Sequence, residues 1–383
     1  MCVIACILPV CSVPAFVFVF PKFCDLFPVV IFSSFSLCMK RIGLYANTTK
    51  PDAVKWAERA ARFLTAEKAE FCVQREIASL FEESFAKLLC FDKDQYDSAK
   101  REARSDKAEK PDKIFSGLVL DIEDYEKFCD VIVSFGGDGT MLRAARAVFD
   151  AEIPIMGINL GTLGFLAEFS ASELESALWA VLSGEYHVED RAVIEARIGT
   201  LLPPEERRRR DDDDNDDDDR NTSLARSLDV SELLYACNDI VIHKKNIIHL
   251  ITVRASVDGY PIADYRADGL ILTTPTGSTA YSLSSGGPII VPTCQALCLT
   301  PISPHSLNLR PLVIPDTSEI CLEIIPNDGL ATLIADGTET VEIKPGEKIV
   351  ITKSDRVMKL LKRENRSYYD LLKKKLLWSA NGK

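Results

Sequence analysis

A five-residue run suited to a buried strand, Val131-Ile132-Val133-Ser134-Phe135, leads directly into Gly136-Gly137-Asp138-Gly139-Thr140 and then into an apolar helical segment, Met141 to Phe149. A strand that turns through glycines straight into a helix is half of a β-α-β unit, and this restricts the fold more than any other feature. Neighbouring segments repeat the alternation. Ile42 to Ala46 reads as a first buried strand, Pro51 suits a first helical turn, and Ala53, Trp56, Ala60, Phe63 and Leu64 follow at helical spacing. Phe71-Cys72-Val73 and Pro154 to Ile158 read as further strands, and Ser170-Ala171-Ser172-Glu173 carries a capping-box pattern at a helix start. The expectation is an α/β domain over residues 39–190, Rossmann-like, with a parallel sheet covered on both faces.

From about Arg191 the period drops to two. Ala192 to Ile198, Asp239 to His243, His249 to Val257, Leu270 to Thr273, Ile320 to Ile325 and Ile349 to Thr352 are β-like, with turn dipeptides at Asp258-Gly259 and Asp328-Gly329. A mostly-β sandwich domain is expected over residues 191–354. Residues 355–383 are expected to pack back on the first domain, because Tyr368 to Trp378 sets Leu371, Leu372, Leu376 and Leu377 against lysines at helical spacing. Three stretches stand apart. Asp92 to Lys113 is charged and aperiodic, which predicts a surface loop. Arg207 to Arg210 precedes eight aspartates among Asp211 to Asp219; such a run repels itself and predicts a disordered insert over residues 205–222. The first 38 residues carry no charge before Lys22, yet Pro9, Pro14 and Pro21 interrupt any spanning helix and no signal-peptide pattern is present. Met39 is the expected start, and residues 1–38 a non-native or targeting extension.

Charge and cysteine usage narrow the function. A net charge of -12 over 383 residues weighs against broad nucleic-acid or anionic-membrane binding, both of which need basic surface. Phosphate-rich small ligands need only a local pocket and stay open. Five of the twelve cysteines fall in the first 38 residues and the rest are scattered, which suits a reducing cytoplasm better than a disulfide framework. Cys294 and Cys298 have no second pair to complete four zinc ligands, so no dedicated metal site is expected. His187, His243, His249 and His305 are dispersed and no nucleophile motif accompanies them.

Chemistry concentrates in three segments and one dipeptide. In Gly136 to Thr140, glycines let backbone amides approach a phosphate, and the following helix N-terminus favours anions. Asp138 would repel a polyphosphate unless it holds a metal or accepts a proton from a nucleophile, so the loop points to phosphoryl transfer. Gly157-Ile158-Asn159-Leu160-Gly161-Thr162-Leu163-Gly164-Phe165 is not the G-x-G-x-x-G fingerprint and reads equally as a site wall or a packing turn. Asp268 to Ile289 is a strand followed by a turn rich in small polar residues, in which Thr276, Ser278 and Thr279 offer hydroxyls and Tyr281 a stacking ring. Asn238-Asp239 pairs an amide able to read adenine with a carboxylate able to accept from a ribose diol; alone, it reads as an ordinary strand entry.

Taken in order, Gly136 to Thr140, Asn159 to Phe165, Asn238-Asp239, Asp268 to Ile289 and Pro301 to Leu307 resemble the successive motifs of the NAD kinase family, from Lys40 to about Trp378. The glycine-aspartate loop also resembles that of diacylglycerol and sphingosine kinases, so a lipid kinase is the alternative enzyme and a non-catalytic nucleotide sensor the alternative binding protein. The resemblance implies ATP-dependent phosphorylation of the adenosine-ribose 2'-hydroxyl of NAD, with Mg2+ or another divalent cation accompanying ATP. It implies a homodimer or homotetramer and a cleft between the two domains. Asp138 would be catalytic. Gly136, Gly137, Gly139, Thr140 and Arg143 would line the triphosphate, and Asp138, Gly139, Asn238, Asp239, Asp268, Thr279, Ala280, Tyr281 and Ser284 would contact NAD. Asp239 stands where many members have Glu, and Ser285 where many have Ala.

Overall fold

The computed structural model describes residues 41–89, 117–161, 164–203, 205–206, 224–246, 249–325, 330–344, 346–363 and 367–378. The apolar stretch 1–38, Met39, the charged segment 92–113, the acidic run and the Asp328-Gly329 turn lie outside the described residues.

In the first half the strands are β1 (Arg41–Ala46), β2 (Glu70–Gln74), β3 (Leu118–Leu120), β4 (Val131–Gly136), β5 (Ile155–Asn159) and β6 (Phe169–Ser170). They pair in the order β3-β2-β1-β4-β5, all parallel, with β6 parallel to β5. Helices cover both faces, as the near-continuous apolar strands require. On one side Val131, Val133 and Phe135 of β4 share a core with Ala57 and Leu64 of the Pro51–Ala66 helix and Leu178 and Val181 of the Leu174–Ser183 helix. On the other, Ile132 packs with Met141 and Leu142 of the Asp138–Ala147 helix. The capping box forms: the Ser170 N–H donates to Glu173 Oε2 at 3.0 Å, and a 3-10 turn, Ala171–Glu173, leads into the helix.

The second half contributes β7 (His187–Leu201), β8 (Leu228–Ala236), β9 (Asp239–Lys244), β10 (Ile251–Val257), β11 (Tyr260–Ala267), β12 (Gly269–Thr273), β13 (Ala296–Ile302), β14 (Leu312–Pro315), β15 (Ile320–Ile324), β16 (Ala331–Ala335), β17 (Glu339–Ile343) and β18 (Lys348–Lys362). One layer is the six-stranded antiparallel sheet β14-β13-β12-β9-β16-β17. The facing layer holds β11, β10, β15, β18, β7 and β8, and the two enclose a core that includes Ile194, Ile240, Val253, Leu272, Leu299, Leu322, Leu333 and Ile351. This is the expected sandwich, but it is not a separate body. β18 pairs with β15 and β7 in the sandwich and then runs parallel beside β5, with Leu360 opposite Ile155, so one twelve-stranded sheet serves both halves. A limit at 190/191 falls inside β7, and one at 354/355 falls at the irregularity between Lys353 and Val357 in β18.

Several strands had no sequence signal. β8 and β11 are largely exposed edge strands and lack the alternation that burial of one face imposes. The C-terminal helix, Tyr368–Leu376, brings Tyr368 to 6.5 Å from the Phe165 ring and Lys375 Nζ to 5.2 Å from the same ring.

Candidate active site

β4 ends at Gly136 and the helix begins at Asp138, not at Met141, so Asp138 lies in its first turn. An acid there is favoured by the positive end of the helix dipole, and the extended Gly137 is the N-cap with no side-chain cap. The helix stops at Ala147, short of the expected Phe149. A Cβ on Gly136 would stand 2.3 Å from Thr140 Oγ1, so only glycine lets the loop fold back this tightly. Gly137 and Gly139 differ, because a Cβ on either would meet nothing within 4 Å. Both positions border open space at a helix N-terminus, the arrangement that receives phosphate. Arg143 follows Gly139 by one helical turn on the same face and is exposed.

The Asp138 carboxylate is held from the second glycine loop. Oδ2 accepts from the Phe165 N–H at 2.8 Å, and Oδ1 accepts from the Leu166 and Ala167 N–H groups, both at 3.1 Å. Gly164 makes room for this, since its Cβ would sit 1.9 Å from Asp138 Oδ1. The Gly164–Ala167 segment is therefore a wall around the acid, whereas Gly157, at the start of the same loop, is a packing position whose Cβ would lie 2.2 Å from Met141 Sδ; Thr162 and Leu163 lie outside the described residues. An ionised carboxylate has about four acceptor positions. Three are occupied, leaving one on Oδ2 for a hydroxyl.

Beyond the wall lies a buried ion cluster that sequence reading did not find. Lys362 Nζ lies 2.5 Å from Glu168 Oε1 and 3.4 Å from Glu189 Oε2, and Arg191 Nη2 lies 3.0 Å from Glu189 Oε1. Arg191 Nη1 also donates to Thr276 Oγ1 at 3.4 Å, which ties the Asp138 wall to the hydroxyl-rich segment. Burial pulls the Arg191 guanidinium down from its ordinary range, against the charges of Glu189 and Glu168. No local motif marks residues so far apart in sequence.

At the β8–β9 corner, Asn238, Asp239, Ala280, Tyr281, Asp336, His243 and their neighbours line a recess of about 420 Å³. Asp239 is buried, and its carboxylate accepts from the Tyr281 N–H. Burial and the nearby Asp336 charge push its carboxyl up to about 7, with the Tyr281 hydrogen bond opposing. Thr279, Ala280, Tyr281 and Ser284 follow on the adjoining turn, with Ala280, Tyr281 and Ser284 exposed.

One expectation changes here. Hydroxyls thought to face a ligand mostly hold the backbone. Ser278 Oγ is fully buried, its single O–H directed at Pro275 O at 2.7 Å with Ile290 O further off at 3.2 Å, while it accepts from the Ile290 N–H at 3.0 Å. Thr276 receives Arg191, and Thr279 Oγ1 donates to Thr276 O at 3.3 Å. Small hydroxyl residues suit this because the turn packs on the corner itself: a Cβ on Gly277 would lie 2.1 Å from Asn238 O. Asp268 adjoins Gly269, which pairs with His243 at the far edge of the same recess. It precedes β12, whose far end carries Thr273 opposite Asp239, roughly 17 Å of strand away. There it forms an ion pair with Lys244 at 2.5 Å.

Among the described residues no group of three or more His, Cys, Asp or Glu could hold a metal, and no helix is long and apolar enough to cross a membrane. Cys294 is exposed and Cys298 buried, both as free thiols.

Open amides at a helix N-terminus, beside a carboxylate with one acceptor position left, suit transfer of a phosphoryl group to a hydroxyl. Fold and site together define a two-domain phosphotransferase. Comparison with known proteins narrows the class: residues 42–186 match the ATP-NAD kinase N-terminal domain and residues 237–363 the ATP-NAD kinase C-terminal domain. An NAD kinase from Syntrophotalea carbinolica is 34% identical over 340 residues, covering 89% of this chain and 99% of that protein. One from Bacteroides fragilis is 38% identical over 264 residues, covering 69% of this chain and 81% of that protein. The chain belongs to the NAD kinase family. Yeast NADH kinase, solved with NADH, superposes with a TM-score of 0.70 at 24% identity, over 90% of this chain and 89% of that one. An Archaeoglobus fulgidus NAD kinase solved with ATP gives 0.57 at 23% identity, over 88% and 98%. At these identities the likeness is one of fold.

Proposed function

We propose that this chain transfers the γ-phosphoryl group of ATP to the adenosine-ribose 2'-hydroxyl of NAD, forming NADP and ADP. The observation that carries the reading is the Asp138 carboxylate, fixed by the Phe165, Leu166 and Ala167 amides with one acceptor position left, next in sequence to two glycines that border open space. In this reading Gly136, Gly137, Gly139 and Thr140 receive the triphosphate at the helix N-terminus, and Arg143 adds a cation. Asn238, Asp239, Thr279, Ala280, Tyr281 and Ser284 take the dinucleotide. Asp138 accepts the hydrogen of the 2'-hydroxyl and aims that oxygen at the γ-phosphorus; the new O–P bond forms as the bond to ADP breaks. Three amide donors fix the carboxylate in place, so it holds the hydroxyl in one orientation.

Mg2+ is commonly held by one or two carboxylates together with substrate phosphates, so an ion carried by ATP needs no cage of protein ligands. Such an ion would neutralise charge on the transferring group. We further propose a cytoplasmic location, in keeping with six described cysteines that are all free thiols, and assembly as a homodimer or homotetramer.

Incubating the purified chain with ATP, Mg2+ and NAD, then identifying the product by mass and by the position of its new phosphate, tests the reading. NADP carrying a 2'-phosphate is expected. A phosphorylated diacylglycerol in a parallel reaction, or NAD binding without turnover, would replace it with the lipid-kinase or the sensor reading.

A further inference from the structure

We propose that Asp336, at the tip of the β16–β17 hairpin, is a positioning residue for dinucleotide recognition: its carboxylate holds the β8–β9 corner in the form that presents Asn238 and Asp239 to the substrate. The inference rests on the proposed NAD site. Three consecutive backbone N–H groups converge on this one side chain. Cys237 donates to Oδ2 at 2.9 Å, while Asn238 and Asp239 donate to Oδ1 at 2.7 and 3.2 Å. In return the Asp336 N–H donates to the Asp239 carbonyl at 3.0 Å. Hydrogen bonds to a charged acceptor are about twice as strong as neutral ones. The corner is therefore fixed by a carboxylate from a strand pair about a hundred residues later, as the separations of 97 to 99 residues record.

The hairpin tip that delivers Asp336 is itself constrained. Asp336 (φ 48°) and Gly337 (φ 68°) are both left-handed and form the centre of a tight turn in which the Thr338 N–H donates to the Ala335 carbonyl at 3.0 Å, a conformation that Asp-Gly adopts readily. A turn of this kind requires nothing from the Asp side chain, so the reach across to Cys237–Asp239 is additional to making the hairpin. The next residues are gripped from the other domain. Arg146, on the helix that begins with Asp138, donates to Thr338 Oγ1 at 2.9 Å and to the Tyr235 carbonyl, and lies 3.3 Å from Glu339 Oε2. One hairpin tip thus links the helix bearing the reaction acid to the corner bearing the recognition residues.

The same carboxylate sets the field at Asp239. Burial raises Asp239, and the Asp336 charge raises it further. The charged and titratable groups around the pair are Arg146 against Asp336, Glu339 against Arg146, Cys237 on the corner itself, and His243 and Tyr281 lining the recess. An ionised Asp239 is acceptor-only, whereas protonation turns one oxygen into a donor and weakens its acceptance from a ribose diol, so dinucleotide affinity should rise as pH climbs through about 7.

Steady-state kinetics of Asp336→Ala and Asp336→Asn, with NAD and ATP varied separately between about pH 5 and 9, test the proposal. The alanine variant should raise KM for NAD by about tenfold or more and leave KM for ATP within about twofold. The asparagine variant keeps an acceptor for the Asn238 and Asp239 amides but removes the charge. It should raise KM for NAD only a few-fold and move the acid limb of kcat/KM for NAD to lower pH. If the alanine variant fails to fold, the asparagine variant carries the test through that limb. Equal rises in both KM values, or an acid limb that stays in place, would overturn it. Failure of the parent reading looks different, as wild-type protein that forms no NADP.

Discussion

Two of the glycine-rich segments of the chain are built for opposite purposes. In Gly136 to Thr140, Gly137 and Gly139 border empty space, and the Asp138 side chain is the part held by protein. In Thr273 to Gly287, two of the three glycines are where protein presses close, Gly277 against the Asn238 carbonyl and Gly287 against Ser282 Oγ, at 2.1 and 2.2 Å from a would-be Cβ, while Gly286 meets nothing within 4 Å and is a left-handed turn position. Its hydroxyls mostly bond inward, as Thr273 does to Asn238 O at 3.0 Å and Ser282 to Thr300 Oγ1 at 2.9 Å. The first segment leaves room for a ligand; the second is a brace that displays Asn238-Asp239 on one side and the Thr279 to Ser284 edge on the other. Similar composition does not imply a similar role, because a glycine can mark either close approach of a ligand or close approach of the protein to itself.

The strongest challenge to this contrast is at Asp138. Gly164→Ala forces a methyl into the space occupied by Asp138 Oδ1, so it should lower turnover by about a hundredfold or more, approaching Asp138→Asn, while NAD affinity stays within several-fold. Gly161→Ala, where nothing lies within 4 Å, is the matched control and should be close to wild type. Turnover of Gly164→Ala near the wild-type value would mean that the carboxylate need not sit where the amides hold it.

A weaker effect separates the two segments themselves. Gly277→Ala must displace the Asn238 backbone, so the melting temperature should fall and KM for NAD rise together, by roughly tenfold. Gly139→Ala meets no protein atom; its melting temperature should hold while KM for ATP rises. Parallel thermal melts and kinetics would contradict the contrast if both variants behaved alike.

The smallest effect lies within the brace. Ser278→Ala strands the buried Ile290 N–H and should cost about 1–3 kcal/mol of stability in a denaturant titration, with little change in KM. Ser284→Ala, at an exposed hydroxyl bonded only to the Tyr281 carbonyl 2.9 Å away, should stay within about 0.5 kcal/mol. Equal losses would mean that the segment is not organised as an interior brace.

Local pattern determined a great deal of this protein. The strand–glycine–helix unit, the parallel sheet covered on both faces, the change to period two near Arg191 and the capping box at Ser170 each follow from side-chain spacing within a few residues, and all appear in the structure. The resemblance carried by the Gly136, Asn159, Asn238 and Asp268 motifs likewise led to the family. What the pattern could not decide was where the chain meets itself. The twelve-stranded sheet shared by both halves rests on β18 reaching β5, about two hundred residues earlier in sequence, as Leu360 opposite Ile155 shows. The pairs of Lys362 with Glu168 and Glu189 and the Asp336 grip on the corner are likewise long-range contacts. Asp336-Gly337 could be recognised as a turn by the rule that marked Asp258-Gly259, but not the destination of its carboxylate. A turn depends on the φ and ψ of its own residues, which sequence biases directly; the partner of a side chain depends on which distant strands packing brings together, and only the tertiary structure decides that.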